Sequence, residues 1–206
     1  GFMAARSHSL VAIDRCPITV PDLARAPGVA SVLAADLAGR DKPVDIVVAA
    51  SAAGLDIDLR GTGPLPDALR QRLIARAADL DLARLSLHGE TLVERRPPDI
   101  AGDGRPALRP PPGGFLQATA AGEAALADRV QDGLAGRKRV ADLFAGTGPF
   151  ALRLARVATV HAVDGDGAAL ASLDRARRTA EGLRAITVET RDLFRRPLLP
   201  TELDRF

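Results

Sequence analysis

Apolar residues recur along this chain in two rhythms, every second position or every third and fourth, and the switches between them mark its elements. Leu55, Ile57 and Leu59 alternate strictly with Asp56, Asp58 and Arg60. That pattern predicts a strand with its apolar side toward a core and its charged side outward. The mostly apolar run 44–50, joined to it through Ser51-Ala-Ala-Gly54, completes a hairpin. A short apolar run at 9–13 reads as another strand, and Pro17 and Pro21 bar a regular interior element after it. Val29, Val32, Leu33 and Leu37 fall at helical spacing ending at Gly39, and Leu69, Leu73, Ala77 and Leu80 predict a helix over about 66–80. Leu85 and Leu87 alternate with Ser86 and His88, with Gly89 as a turn and 91–94 as the return strand. Strand pairs and helices thus alternate to about residue 95, which predicts a small α+β unit rather than a parallel sheet.

The pattern breaks at 97–114, where proline, glycine and arginine dominate and Arg109-Pro-Pro-Pro-Gly-Gly114 is first stiff, then flexible. This reads as a junction between a domain at 1–110 and a second at 115–206. In the second, Leu126, Val130 and Leu134 line one face of a helix ending at Gly136. A buried strand carrying Val140, Leu143 and Phe144 runs into Gly146-Thr147-Gly148, and Phe150, Leu152 and Leu154 open a helix. A strand over 157–163 ends at Asp164. Leu170, Leu173, Ala176 and Ala180 make a helix that stops at Gly182, and a strand over 186–189 leads to Asp192. Strand, helix, strand, helix, strand is the first half of a doubly wound α/β sheet. The first strand of such a sheet is central, so an unpaired edge is expected beside 140–144. The expectation is therefore a fragment, or a chain whose edge a partner covers.

Composition narrows the class. The 206 residues are 47% hydrophobic with net charge +2, enough for packed cores and no excess that announces a polyanion. The basic residues are almost all arginine, which reads first as compositional bias and second as RNA contact. Cys16 is the one cysteine, which excludes an internal disulfide framework and fits a reducing compartment. With no apolar run of membrane-spanning length, a cytoplasmic protein is expected.

The candidate chemistry gathers at the glycine turn. Gly146-Thr-Gly148-Pro-Phe-Ala151 matches G-x-G-x-x-A, where backbone N–H groups and a helix N-terminus meet at one point suited to a nucleoside-bearing cofactor. Asp142, inside the strand, either orients the turn or meets a ligand ammonium group, since a buried carboxylate needs a partner. Asp164 accepts ribose hydroxyls or caps the following helix. Asp192 binds an adenine amino group or is a solvated turn residue. An acid within the strand before the turn fits S-adenosylmethionine better than NAD. His161 reads as packed within its strand. The arginines at 95–96 and at 175, 177 and 178 read as solvated faces. No serine-triad arrangement or zinc-ligand spacing occurs.

Taken together, Gly1-Phe2 with Ser7-His8, Ile13-Asp14, Cys16-Pro17, Phe115-Leu-Gln117, Asp142-Leu-Phe-Ala-Gly-Thr-Gly-Pro-Phe150 and Val163-Asp164 resemble the bacterial RNA 5-methyluridine methyltransferases. The similarity is greatest to the iron–sulfur branch that methylates uracil C5 in 23S ribosomal RNA. It spans essentially the whole chain, tightest over 115–192. The resemblance implies a Rossmann-like class I methyltransferase sheet, with Gln117, Phe144, Asp164 and Asp192 contacting S-adenosylmethionine and Gly146 and Gly148 letting the backbone approach it. It also implies that Cys16 is the last of four ligands to a 4Fe–4S cluster in a longer parent, the other three lying before Gly1. RNA, ribosomal ahead of transfer RNA, is the implied partner.

The chain departs from the family at Ala145, where Cys is common, and at Pro149, where an Asn usually helps bind the cofactor. The family's Asp-Pro-Pro-Arg motif, nucleophilic cysteine and catalytic glutamate are expected beyond Phe206, so no catalytic residue is assigned within the chain. In the family mechanism a thiolate adds to uracil C6, and C5 then attacks the cofactor methyl. The rival expectations are a nicotinamide-dependent dehydrogenase built on the same glycine pattern and a non-catalytic RNA-binding module.

Overall fold

In the computed structural model, residues 1–39, 43–102 and 105–206 are described. They form two compact units, Gly1–Pro98 and Asp99–Phe206.

In the first unit, β1 (Phe2–Met3) pairs antiparallel with β2 (Leu10–Val11), so only two residues of the apolar run at 9–13 enter a ladder. A four-stranded sheet follows in the order β3 (Asp45–Ser51), β4 (Gly54–Arg60), β5 (Arg84–Leu87), β6 (Glu90–Glu94). Its central pair β4–β5 is parallel and the outer pairs are antiparallel. Leu55, Ile57, Leu59 and Leu85 share a core with Leu33 of α1 (Ala26–Asp36) and with Leu73 and Ala77 of α2 (Asp67–Asp79). The alternating strand therefore points its apolar side as its pattern predicts.

Of the three residues on its charged side, Arg60 faces solvent as expected and the two aspartates do not. Asp56 and Asp58 are only 5% and 1% exposed. The β4–β5 register sets Asp56 against Arg84, and the guanidinium donates to both carboxylate oxygens at 2.8 and 2.6 Å. Asp58 accepts from Arg60 Nε at 2.7 Å and from the Gly89 N–H at 3.0 Å. Alternation reports which face is apolar, not whether the other face is wet. Carboxylates withdrawn from water persist here because charge-assisted bonds replace their hydration.

The second unit begins with a hairpin of β7 (Ile100–Gly102) and β8 (Arg105–Leu108), placed inside the Pro/Gly-rich stretch. Leu108 is buried in the unit's core. In α3 (Ala120–Gly133) the buried positions are Glu123 and Ala127, with Val130 and Leu134 half-buried against the core. Leu126, expected on that stripe, is 49% exposed. The buried line runs at spacings of four and three from position 123, so it includes a carboxylate that an apolar count passes over.

Three parallel strands stand in the order β11 (Ile186–Thr190), β10 (Thr159–Asp164), β9 (Arg139–Leu143). The second and third in chain order are each fed from their predecessor by a helix, β10 through α4 (Pro149–Leu154) and β11 through α5 (Gly167–Thr179). This is the half of a doubly wound sheet that the pattern predicts. Val140, Val160 and Ile186 lie in one register row and are buried against these helices. Side chains alternate along a strand, so Asp142, two residues after Val140, points to that same helix-covered face. His161 points to the other, where its ring nitrogens meet Thr187 Oγ1 at 2.8 Å and Glu189 Oε2 at 3.1 Å. A short helix, α6 (Pro200–Leu203), lies near the end of the chain. Among the described residues, no helix is long and apolar enough to cross a membrane.

Candidate functional site

The strand pattern delivers Leu143, Asp164 and Thr190 to one edge of the sheet, where each chain turns toward its next element. A cavity of about 260 Å³ opens at that edge. Gln117, Phe144, Gly146 and Asp164 line it, together with Phe115, Glu123 and Asp166. Asp142, Gly148 and Asp192 do not.

The turn between β9 and α4 is held from its neighbour. Asp164 Oδ2 accepts the Gly146 N–H at 2.7 Å and Oδ1 accepts the Asp166 N–H at 2.8 Å. Asp164 thus ties two loops together at the cavity floor, and the helix cap that was its alternative role falls to Asp166. The Asp166 carboxylate accepts from the Ala168 and Ala169 N–H groups at 2.9 and 3.0 Å. Replacing Asp166 with Ala orphans both donors and is expected to cost about 1 kcal/mol, read as a shift in the denaturation midpoint. An unchanged midpoint would show that the cap carries no stability.

The two glycines face different demands. A Cβ on Gly146 (φ +56°) would meet nothing within 4 Å, so the backbone there lies open to the cavity. A Cβ on Gly148 (φ +80°) would stand 2.5 Å from Leu173 Cδ1 of α5, so this glycine serves close helix packing. Phe144 also adopts a left-handed conformation, φ +59°. For a bulky residue this is strained, and strain of this kind clusters at functional sites.

Asp142 lies beneath the turn. It accepts a hydrogen bond from the backbone of Ala151, in the first turn of α4. Its Oδ2 is buried without a hydrogen-bond partner among the described residues. Burial, reinforced by the nearby charge of Asp164 and opposed by the Ala151 N–H, pushes its carboxyl up to about 6. A half-satisfied acid close to the cavity-lining Asp164 is a place for a cationic group to bind. Glu123, from the buried line of α3, adds a second carboxylate to the cavity wall. The sequence signal that could have found it is its place at the head of that line.

Asp192 follows β11 and caps its own turn, Oδ1 accepting the Phe194 and Arg195 N–H groups at 3.0 and 3.1 Å. Cys16 lies in the other unit, half-buried and outside any disulfide. Among the described residues, no group of three or more His, Cys, Asp or Glu side chains is placed to hold a metal ion.

No family model matches the sequence. Relatives are plain nonetheless. The chain is 44% identical over 203 residues to an uncharacterized RNA methyltransferase of Brucella suis, covering 98% of this chain and 49% of that protein. It is 41% identical over 207 residues to one from Agrobacterium fabrum, covering 100% and 50%. It is 34% identical over 209 residues to the 23S rRNA (uracil(1939)-C(5))-methyltransferase of Chromohalobacter salexigens, covering 94% and 43%. The chain therefore spans about half the length of the curated relatives it matches. In three dimensions it is similar to the Pyrococcus abyssi tRNA (uracil-54, C5)-methyltransferase, solved in complex with S-adenosyl-L-homocysteine. The TM-score is 0.62 at 16% identity, covering 88% of this chain and 49% of that one. That likeness shows the fold, which holds half of a Rossmann-like doubly wound sheet. By sequence, the chain is similar to bacterial RNA methyltransferases over about half of their length.

Proposed function

We propose that residues 115–192 bind S-adenosylmethionine and that, in a protein of the relatives' full length, they serve methyl transfer to C5 of a uridine in RNA. Ribosomal RNA is the first substrate class and transfer RNA the second. One observation carries the cofactor assignment: a buried Asp142 oxygen without a hydrogen-bond partner among the described residues lies close to Asp164, which lines the cavity together with the open Gly146 backbone. An amino acid joined to a nucleoside supplies both an ammonium group for Asp142 and hydroxyls for Asp164. When bound, the cofactor supplies an electrophilic methyl group.

The chain's own residues would divide the binding between them. Asp142 receives the ammonium group, Asp164 the ribose, and Asp192 the adenine amino group, while Gln117 and Phe144 form the wall. Gly148, turned toward Leu173, keeps α4 close to α5. Cys16 offers one of the four thiolates a 4Fe–4S cluster takes, and no step of this reading passes through a cluster. The uracil-C5 assignment is supported by the activities of the Chromohalobacter relative and the Pyrococcus fold neighbour. Nothing specific favours a nicotinamide cofactor beyond the shared glycine pattern.

Titration calorimetry with S-adenosylhomocysteine and, separately, NADH decides the cofactor class. Heat is expected from the first and none from the second, and the reverse result would overturn the assignment. Labelled methyl transfer to ribosomal RNA by the full-length protein tests the substrate, and failure to label ribosomal or transfer RNA would sink it.

A further inference from the structure

Beside the cavity, residues 191–197 form a closed loop that displays three side chains outward. The loop is stiff. The Asp192 carboxylate takes two of its N–H groups, and the Arg196 N–H donates to the Asp192 carbonyl at 2.8 Å. Arg191 donates to the Arg196 and Pro197 carbonyls at 2.7 and 2.8 Å and forks onto Glu202 at 2.9 and 3.1 Å. Leu193 is buried beneath. Against that frame Phe194 is 88% exposed, the Arg195 side chain is 87% exposed, and Arg196 is exposed as well. The Phe194 ring reaches Phe144 at the cavity wall, centroids 5.2 Å apart and tilted by 50°.

We infer that Phe194, Arg195 and Arg196 form an RNA-binding loop at the mouth of the cavity, with Phe194 stacking an unpaired base and the arginines meeting the flanking phosphates. This rests on the RNA reading above and deepens it by naming a contact surface. A rigid aromatic face bracketed by guanidinium groups offers every base a stacking partner and every phosphate a cation. A protein-binding surface would ask instead for a contiguous apolar patch. The frame also matters to affinity, since ordering a loop before binding removes that cost from association. Stacking needs an unpaired base, so the loop favours single strands, and the ring lies where a base bound for the cavity passes.

Fluorescence anisotropy with a uridine-containing single-stranded RNA, and with the same RNA annealed to its complement, tests this alongside calorimetry with S-adenosylhomocysteine. Phe194→Leu is expected to weaken single-strand binding on the order of tenfold, with Phe194→Trp restoring it and S-adenosylhomocysteine affinity unchanged. Arg195→Gln with Arg196→Gln is expected to flatten the salt dependence by roughly 0.7 per arginine removed. Loss of S-adenosylhomocysteine affinity with RNA affinity intact would overturn the inference, because the loop would then be a cofactor wall. RNA affinity unmoved in both variants would overturn it too. A wild-type protein that binds S-adenosylhomocysteine and neither form of RNA instead overturns the RNA reading itself, and this loop's role with it.

Discussion

Gly148→Ala is expected to destabilise the Asp99–Phe206 unit by about 3 kcal/mol, while Gly146→Ala costs about 1 kcal/mol and instead weakens cofactor binding. Both glycines have positive φ, so each substitution incurs the backbone cost of a side chain in the left-handed region. Only at Gly148 does a steric cost join it. The added methyl would lie 2.5, 2.7 and 2.9 Å from three atoms of Leu173, a residue with 0% exposure and core on every side. Overpacking such a site costs roughly 1–3 kcal/mol. In a unit of this size the sum corresponds to a fall of more than about 10 °C in thermal midpoint, measurable by scanning calorimetry. A cycle with Leu173→Ala supplies the internal check. That variant clears the space, so the two substitutions together should cost less than the sum of each alone. A midpoint for Gly148→Ala within about 2 °C of wild type would show that α4 and α5 are not packed through this glycine.

Asp142→Asn is expected to stabilise the unligated protein at pH 7 by up to about 3 kcal/mol and to weaken S-adenosylhomocysteine binding. The Asp142 carboxyl lies at about 6 in the folded chain, against about 3.9 when unfolded. Because the folded value is the higher one, the native state holds the proton more tightly. The group's favourable contribution is therefore present below about pH 4 and is lost as pH rises through about 6. Two units of displacement correspond to about 3 kcal/mol at neutral pH. Asparagine keeps an oxygen for the Ala151 N–H and removes the buried charge, so its advantage should grow between pH 4 and 6 and level off above. Denaturation at a series of pH values reads this directly. A wild-type-minus-variant difference that stays flat from pH 4 to 7 would show that Asp142 does not titrate as its burial implies. Loss of affinity alongside gain of stability is the signature of an acid kept at a cost for its ligand.

Much of the architecture was legible from residue order. The alternation at Leu55, Ile57 and Leu59, the helical spacing at Leu69, Leu73 and Ala77, and the strand–turn–helix around Gly146 are local signals. They follow from side-chain period and from which residues tolerate a turn, and neither depends on distant chain. The placement of Asp164 at a strand end was legible for the same reason. The family resemblance added Gln117 and Phe144, which periodicity could not single out, and both line the cavity.

What tertiary structure decided was which distant groups meet. Asp56 and Asp58 alternate like solvated residues, yet strand register sets one on Arg84 and both are withdrawn from water. Asp164 and Asp166 are equally good caps by residue type, and only the approach of the Gly146 loop assigned the cap to Asp166. Gly146 and Gly148 are interchangeable letters in the turn motif, but α5 packs against one and leaves the other open to the cavity. Asp142 is a single acid in an apolar run, and its unsatisfied oxygen exists only because the sheet turns it under α4. Local sterics and hydrophobic period are properties of neighbours in sequence, and they are written in residue order. Desolvation, ion pairing and close packing are properties of neighbours in space, and the chain must fold before they exist.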